Sequence, residues 1–504
     1  MAADASGAFL AYHEPNIISI LTLISFFLFL AIAEWLADKV VRASLIGHII
    51  VGLIYGVPLA NILAPDWQET FLALGYIGLI LIIFEGGLTI RLDLLRQNLL
   101  LSLVAALIGV LTPIALSFAL LHAGFHHSPL EAFIVGTALC STSLGTTFVV
   151  LSSASAKSAP DTADSDEGVD FSQTRIGTVL VSAAVLDDVC GLVLVSVIHN
   201  LRGIAGAGED GGDGSGGASL GWIIGRPVLA SVLMAVLTPA VAAFVAGPVY
   251  RRVSTRGVAV RLGHVFNILL MACVLGAFLA IAAYAGASVL FGAFLAGAFL
   301  SALKGGEARR AVPWFTETFD KYLGQTQKYV FQPLFFASIG FAIPFLELWT
   351  GEVIWKGVVY TLLMAFGKLI VGAVVPAWDL VSLRIKRRTS EKRHGQQTVS
   401  WAPATLLGAA MVARGEIGLL IIQIGLNETP FLSRKAFVIG VWAIVLNTII
   451  GPVLVGSLLK RVGTAIATDA RWGVQAKQAS DTDGDNGGEP IETPAGTSPR
   501  PGLA

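Results

Sequence analysis

The sequence predicts an all-α polytopic membrane protein of about thirteen transmembrane helices, two of them discontinuous and set in inverted repeats. Three observations predict it. The 504 residues are 55% hydrophobic and only 13% charged, whereas soluble domains carry about 25% charged residues; the mean hydropathy is +0.76. The apolar residues fall in runs close to the roughly 20 residues that a helix needs to cross the hydrocarbon core. Two runs carry helix-breaking segments at corresponding places. Irregular backbone at such depth is tolerated only where protein encloses it or it lines a cavity.

In chain order the expected spans lie near 16–36, 44–64, 70–90, 98–122, 130–152, 175–200, 222–249, 262–284, 287–303, 329–348, 353–377, 402–426 and 436–460. The first lacks a basic leader and a small-residue cleavage site, so it reads as a retained helix. The second and ninth are short or interrupted by glycine. The fifth contains Thr137–Thr147, rich in hydroxyls with Gly145 in mid-span, and the twelfth contains Arg414 and Glu416 on either side of Gly415. Spans four to six then form one unit and eleven to thirteen another, each broken in its middle helix. An odd offset between the units inverts one against the other in the membrane. The small residues of Gly286–Gly297 read as tight helix packing, and Pro333–Gly340 as a kink.

Loop charge orients the chain. Lys39 and Arg42, Arg91 and Arg96, Lys157 and Arg175, the group from Arg251 to Arg261, then Lys304, Arg309, Arg310 and Lys321, and the group from Arg384 to Arg393 fall on one side. The other side has little beyond Arg202, Arg434 and Lys435. The positive-inside rule places the N-terminus outside and the C-terminus in the cytoplasm. Residues 1–15 are therefore expected as an extracytoplasmic N-terminus, 16–462 as the transmembrane domain and 463–504 as a polar, disordered cytoplasmic tail. The loop 152–174 reads as disordered in the same way.

Several classes are disfavoured. A net charge of −1 and the lack of a basic patch with interleaved aromatics give no argument for nucleic acid. No phosphate-binding or dinucleotide fingerprint is present, which disfavours ATP-driven pumping and implies no cofactor. Cys140, Cys190 and Cys273 lie in apolar segments and read as buried hydrophobes, not a disulfide framework. An aspartyl protease needs two carboxylates close enough to share a proton. Adjacent helical residues point about 100° apart, so the chain is not read as an enzyme.

The chemistry centres on Asp187 and Asp188, in the middle of the sixth span. A carboxylate at bilayer depth costs roughly 2.5–3.5 kcal/mol on insertion scales. Two in succession are accounted for if they face a water-filled cavity and handle a cation, a proton or both; purely structural acceptors are the plainer alternative. Lys368, near the centre of the eleventh span, needs a counter-ion or gives up its proton; snorkelling to the interface is its alternative. Arg414 and Glu416 are expected to help neutralise the broken helix. Glu85, at the inner end of the third span, is the candidate partner of Arg414 in a structural ion pair. His48 and Asn267 read as packing residues.

Together these residues resemble the monovalent cation:proton antiporter superfamily, over about residues 15–460. The matching patterns are Leu45–Gly56, Phe84–Leu88, the Asp187-Asp188 pair, Gly292–Gly297, Pro333–Gly340, Gly367-Lys368 and Arg414-Gly415-Glu416, in that order. The resemblance implies the sodium/proton antiporter fold, with a scaffold, a mobile six-helix core holding crossed broken helices, and a homodimer in the lipid bilayer. It implies that Asp188 is the shared cation and proton site and that Asp187 pairs with Lys368. The Asp-Asp form is similar to the electrogenic branch. Thr142, Ser143 and Thr146 are then expected at the crossing with Arg414 and Glu416, where hydroxyls and freed carbonyls complete a cation shell. No metal is implied beyond transported Na⁺ or K⁺. The expected function is exchange of Na⁺ or K⁺ for protons by alternating access, in a plasma or organellar membrane. A proton-linked potassium efflux channel on the same fold is the alternative, although neither a nucleotide-binding domain nor a selectivity-filter loop accompanies it.

Overall fold

A computed structural model describes residues 14–90, 98–143, 174–206, 220–254, 257–303, 313–388, 400–467, 469 and 471–473. Among the described residues the architecture is all-helical. The principal helices are α1 (Ile17–Val41), α2 (Ser44–Tyr55), α3 (Pro65–Thr89), α4 (Leu99–Ser117), α5 (Pro129–Ala138), α6 (Arg175–Gly206), α7 (Leu220–Val241) and α8 (His264–Ala285). They continue as α9 (Val289–Ala302), α10 (Gln332–Phe341), α11 (Gly351–Leu369), α12 (Val374–Arg388), α13 (Trp401–Ala410), α14 (Glu416–Glu428) and α15 (Arg434–Ala467). A 3₁₀ turn, Ile370–Ala373, joins α11 to α12 as one span.

Every expected span overlaps a helix, but length and composition alone qualify eight helices to cross a membrane among the described residues, not thirteen. The difference comes from short helices such as α2, α5 and α9, which are apolar but only 10–14 residues long. The break expected in the fifth span begins after Ala138, and that in the twelfth separates α13 from α14.

The starts and stops follow local chemistry. Asn16 accepts from the Ile18 amide and caps α1, which stops at Arg42 in the left-handed region (φ 55°). α5 opens with a reciprocal Ser128–Glu131 capping box and Pro129 in its first turn. Glu131 also accepts from the Ser433 amide at 3.1 Å and so ties α5 to the start of α15. These contacts satisfy amides that no helix can satisfy internally.

The helices pack as two groups. α1 against α2, α2 and α3 against α10, and α3 and α8 against α9 form a scaffold. α4 against α5 and α6, α14 against α5 and α6, and α15 against α11 and α13 form the core group. Long apolar faces remain outside: α1 exposes Leu21, Ile24 and Leu28, and α7 exposes Leu229, Leu233 and Val236. Apolar stripes of this length suit hydrocarbon, not water. The buried polar residues include Asn267, whose amide donates to Pro313 O at 2.8 Å and Thr318 Oγ1 at 3.0 Å. His48 stacks on Phe336 and lies 3.6 Å from Glu34. All three cysteines are free.

Where α2 meets α15, Ile46, Ile49, Ile50 and Leu53 face Val441, Trp442 and Val445 across a cavity of about 150 Å³, with Leu348 and Trp349 also in its wall. The seam between the groups is apolar here.

The expected tail boundary is corrected. α15 runs beyond residue 463 to Ala467, with Ile466 fully buried, and Trp472 is fully buried against the core. The tail composition averages to polar, and that average conceals two large apolar side chains with a groove to fill. Of the loop 152–174 only Thr174 lies among the described residues; its hydroxyl accepts from the Gly177 amide and caps α6.

α3 and α9 cross on bare backbone. A Cβ on Gly87 would strike Phe294 O, and one on Gly297 would strike Phe84 O, so each helix presents a glycine where the other presents a carbonyl. Gly297→Val is expected to lower stability by about 1–3 kcal/mol through overpacking. Gly86→Ala, with nothing within 4 Å, should leave it unchanged. Thermal unfolding in detergent distinguishes the two.

Candidate functional site

The site forms where two interrupted helices meet. α5 ends at Ala138 and the chain continues through a turn at Leu139 and Cys140 into an irregular stretch at Ser141–Ser143. α13 ends at Ala410 and the chain passes through Met411–Gly415 before α14. The two breaks touch through backbone: the Ser143 amide donates to Ala413 O at 3.0 Å. Gly415 is extended (φ −154°), and a Cβ there would lie 2.7 Å from the Ser143 hydroxyl.

Breaking a helix frees carbonyls at one end and amides at the other, with partial charges to match. Cations take the carbonyls. Lys368 Nζ donates to Cys140 O at 2.6 Å, and Arg414 Nη1 donates to Ser141 O at 2.9 Å. Glu416 lies in the first turn of α14, where the helix dipole favours a carboxylate. Thr448, on α15, donates to Arg414 O at 3.1 Å and holds the second break from behind.

α6 crosses both breaks and supplies the aspartates. Asp187 Oδ2 lies 2.5 Å from Lys368 Nζ, and both side chains are fully buried. Thr142 bridges the pair: its hydroxyl donates to Asp187 Oδ2 at 2.9 Å and accepts from Lys368 Nζ at 2.9 Å. On α4, Gly109 faces this pair; a Cβ there would lie 3.0 Å from both carboxylate oxygens and 3.3 Å from Nζ. Pro113, four residues on, has no amide proton to give the Gly109 carbonyl.

Asp188 points elsewhere and is only partly buried. Its Oδ1 accepts from Ser141 Oγ at 2.7 Å, and Glu416 lies within electrostatic reach. The helical offset between neighbours thus gives the two aspartates different tasks: one sealed and neutralised, one accessible and held by a single hydroxyl.

The structure brings together Asp187, Lys368, Thr142, Arg414, Glu416 and Asp188, and Ser143 joins through its backbone. Thr146 lies outside the described residues. Glu85 is a correction: among the described residues no ion pair joins it to Arg414. Its helix, α3, packs on α9 and α10 of the scaffold, while Arg414 is enclosed by the crossing. Ser141 falls inside the hydroxyl-rich segment Thr137–Thr147, but the sequence assigns it no role. Nor does the sequence single out Ser117 and Tyr360, two fully buried residues whose hydroxyls lie 2.6 Å apart between α4 and α11.

Comparison with known proteins follows the same outline. The family model described as sodium/hydrogen exchanger, transmembrane, matches residues 22–461. A probable Na⁺/H⁺ antiporter, GerT of Bacillus cereus, is 24% identical over 406 residues, covering 79% of this chain and 87% of the relative. A Na⁺/H⁺ antiporter of Enterococcus hirae is 24% identical over 424 residues, covering 83% and 92%. The Na⁺/H⁺-K⁺ antiporter GerN of Bacillus cereus is 25% identical over 423 residues, covering 83% and 90%. Among solved structures, the sodium proton antiporter MjNhaP1 of Methanocaldococcus jannaschii superposes with a TM-score of 0.59 at 17% identity, covering 88% of this chain and 99% of that one.

The buried pair makes a sharp energetic forecast. Lys368→Ala leaves Asp187 charged and alone, and should cost about 3–5 kcal/mol. Combining Lys368→Ala with Asp187→Asn removes both charges and should recover part of that loss. Thermal unfolding of the single and double variants measures the coupling; additive effects would mean that the pair contributes nothing as a pair.

Proposed function

The chain belongs to the sodium/hydrogen exchanger family, and from that premise we propose that it exchanges a monovalent cation for protons by alternating access, with Asp188 as the shared site. The observation that carries this reading is the division of labour on α6. Asp187 has its charge cancelled by Lys368, while Asp188 keeps partial exposure and one hydroxyl donor at the crossing. A carboxylate so placed holds either a proton or a partly dehydrated cation, and the two compete. The Ser141 hydroxyl, 2.7 Å from Asp188 Oδ1, and Glu416, within electrostatic reach, are the groups that would contribute to a cation shell with it.

In this mechanism the core group, α4–α6 with α11–α15, moves against the scaffold and opens the same site to either side. The seam between α2 and α15 supports such sliding, because its facing side chains are apolar and only one side-chain hydrogen bond, from Trp442 Nε1 to Leu348 O at 3.0 Å, is found in its wall among the described residues. Thirteen crossings place residues 1–15 outside and the C-terminus in the cytoplasm, in accord with the loop charges. A second copy against the apolar outer helices completes a homodimer. Sodium is the first ion to test, since relatives are named Na⁺/H⁺ antiporters. Potassium is the second, since GerN is named for both. With Asp188 alone titrating, exchange is one for one; if the Asp187–Lys368 pair also releases a proton, two protons move per cation and transport is electrogenic.

Purified protein in liposomes with a lumenal pH dye tests the reading. A Na⁺ or K⁺ gradient should drive proton movement in the wild type, abolished in Asp188→Asn. The half-saturating cation concentration should rise as pH falls, because protons occupy the same carboxylate. Clamping the voltage reports electrogenicity. A folded wild type that moves no protons with any alkali cation, or an Asp188→Asn variant of undiminished rate, would sink it.

A further inference from the structure

The chain beyond α15 folds back on the protein. Trp472 is fully buried, and its backbone caps the helix that carries the aspartates. The Ile176 amide donates to Trp472 O at 3.2 Å and the Arg175 amide to Gly473 O at 3.0 Å. With Thr174 capping Gly177 at 3.1 Å, three first-turn amides of α6 gain partners that the helix itself cannot provide.

The same residues hold the helix that carries the lysine. The Trp472 indole N–H donates to Asp379 Oδ2, on α12, at 3.4 Å, and Arg471 pairs with Asp379 Oδ1 at 3.4 Å. The Arg175 guanidinium lies 5.0 Å from the indole centre. Asp469 Oδ1 accepts from the Arg471 and Trp472 amides at 2.8 and 3.1 Å and so shapes the turn, while its Oδ2 accepts from Ser400 Oγ, just before α13, at 2.8 Å. Asn98, at the start of α4, joins through Thr178 at 3.3 Å.

Both clamped helices lead to the buried ion pair, over matched lengths. Asp187 follows Arg175 by twelve residues of unbroken α-helix, about 18 Å at 1.5 Å per residue. Lys368 precedes Asp379 by eleven residues, four of them in the 3₁₀ turn; its longer rise brings this path to about 18 Å as well. The strap therefore joins the feet of two helices of equal reach.

We propose that the strap of Asp469 and Arg471–Gly473 is a positioning element for ion exchange: it fixes the axial register of α6 against α11–α12, and with it the alignment of Asp187, Lys368 and Asp188. This rests on the antiporter reading. Loosening the register lowers the fraction of molecules with a competent site, and apparent affinity falls by that fraction. Maximal rate is preserved, because saturating cation selects the competent form.

The test uses the full chain in proteoliposomes as wild type, Trp472→Ala, Trp472→Phe and Asp379→Asn. Hydrogen exchange at the Arg175 and Ile176 amides reads the strap directly. Trp472→Ala should speed that exchange by about tenfold or more and raise the half-saturating cation concentration by about fivefold, with the maximal rate within about twofold of wild type. Trp472→Phe, which keeps an aromatic ring over Arg175 but lacks the indole N–H, should fall between Trp472→Ala and wild type. Asp379→Asn should act in the same direction as Trp472→Ala. Faster exchange at those amides with unchanged cation dependence, or a fall in maximal rate at constant half-saturation, overturns the proposal. A wild type that moves no protons defeats the antiporter reading and this inference with it; a transporting wild type matched by Trp472→Ala defeats the strap alone.

Discussion

The ion pair of Asp187 and Lys368 dictates what each neighbouring element must provide. Neither side chain reaches solvent, and a charge withdrawn from water loses several kcal/mol even after the protein relaxes. An ammonium has three N–H donors, and all three are used here: on Asp187 Oδ2, Thr142 Oγ1 and Cys140 O. The last acceptor exists only because the helix has stopped. In a continuous helix the Cys140 carbonyl would already serve the amide four residues on. The hydroxyl of Thr142 and the bare backbone of Gly109 meet the same demand from two other directions.

Arg414, carried by the second break, adds a second cation to the first, with Ser141 O as its acceptor. Carbonyls of the first interruption thus take both cations, while those of the second accept from the Ser143 amide and the Thr448 hydroxyl. The positive charges come from two helices of one repeat, α11 and the α13–α14 pair, whereas the aspartates come from the other. Among the described residues Asp188 has no cation in an ion pair with it, and its one hydrogen bond comes from a neutral serine.

Much of this was legible in the sequence, for reasons that differ by residue. Asp187, Asp188 and Lys368 stand out because ionisable groups are rare in apolar runs. The breaks stand out because glycine and charge interrupt periodicity. Helical geometry separates the two aspartates, whereas the pairing of Asp187 with Lys368 was an expectation from the family resemblance. At Ser141–Ser143 and Met411–Gly415 the backbone is extended or irregular, so no period says where a side chain points. That is why Ser141 received no role and why Glu85 was offered to an arginine on another body. The strap was missed for a further reason. Composition describes a segment by its average, and one tryptophan in a polar tail does not move the average.

The cavity between α2 and α15 gives the protein a property unrelated to any ion. About 150 Å³ of space lies at the boundary across which the core and scaffold meet. A conformer in which sliding closes that space packs the seam more densely, and hydrostatic pressure favours the conformer of smaller volume. Compression favours whichever arrangement packs the seam more densely. A few hundred atmospheres could then bias the resting orientation of the carrier with no gradient, ligand or substitution, and the direction of the bias would report which state holds the void.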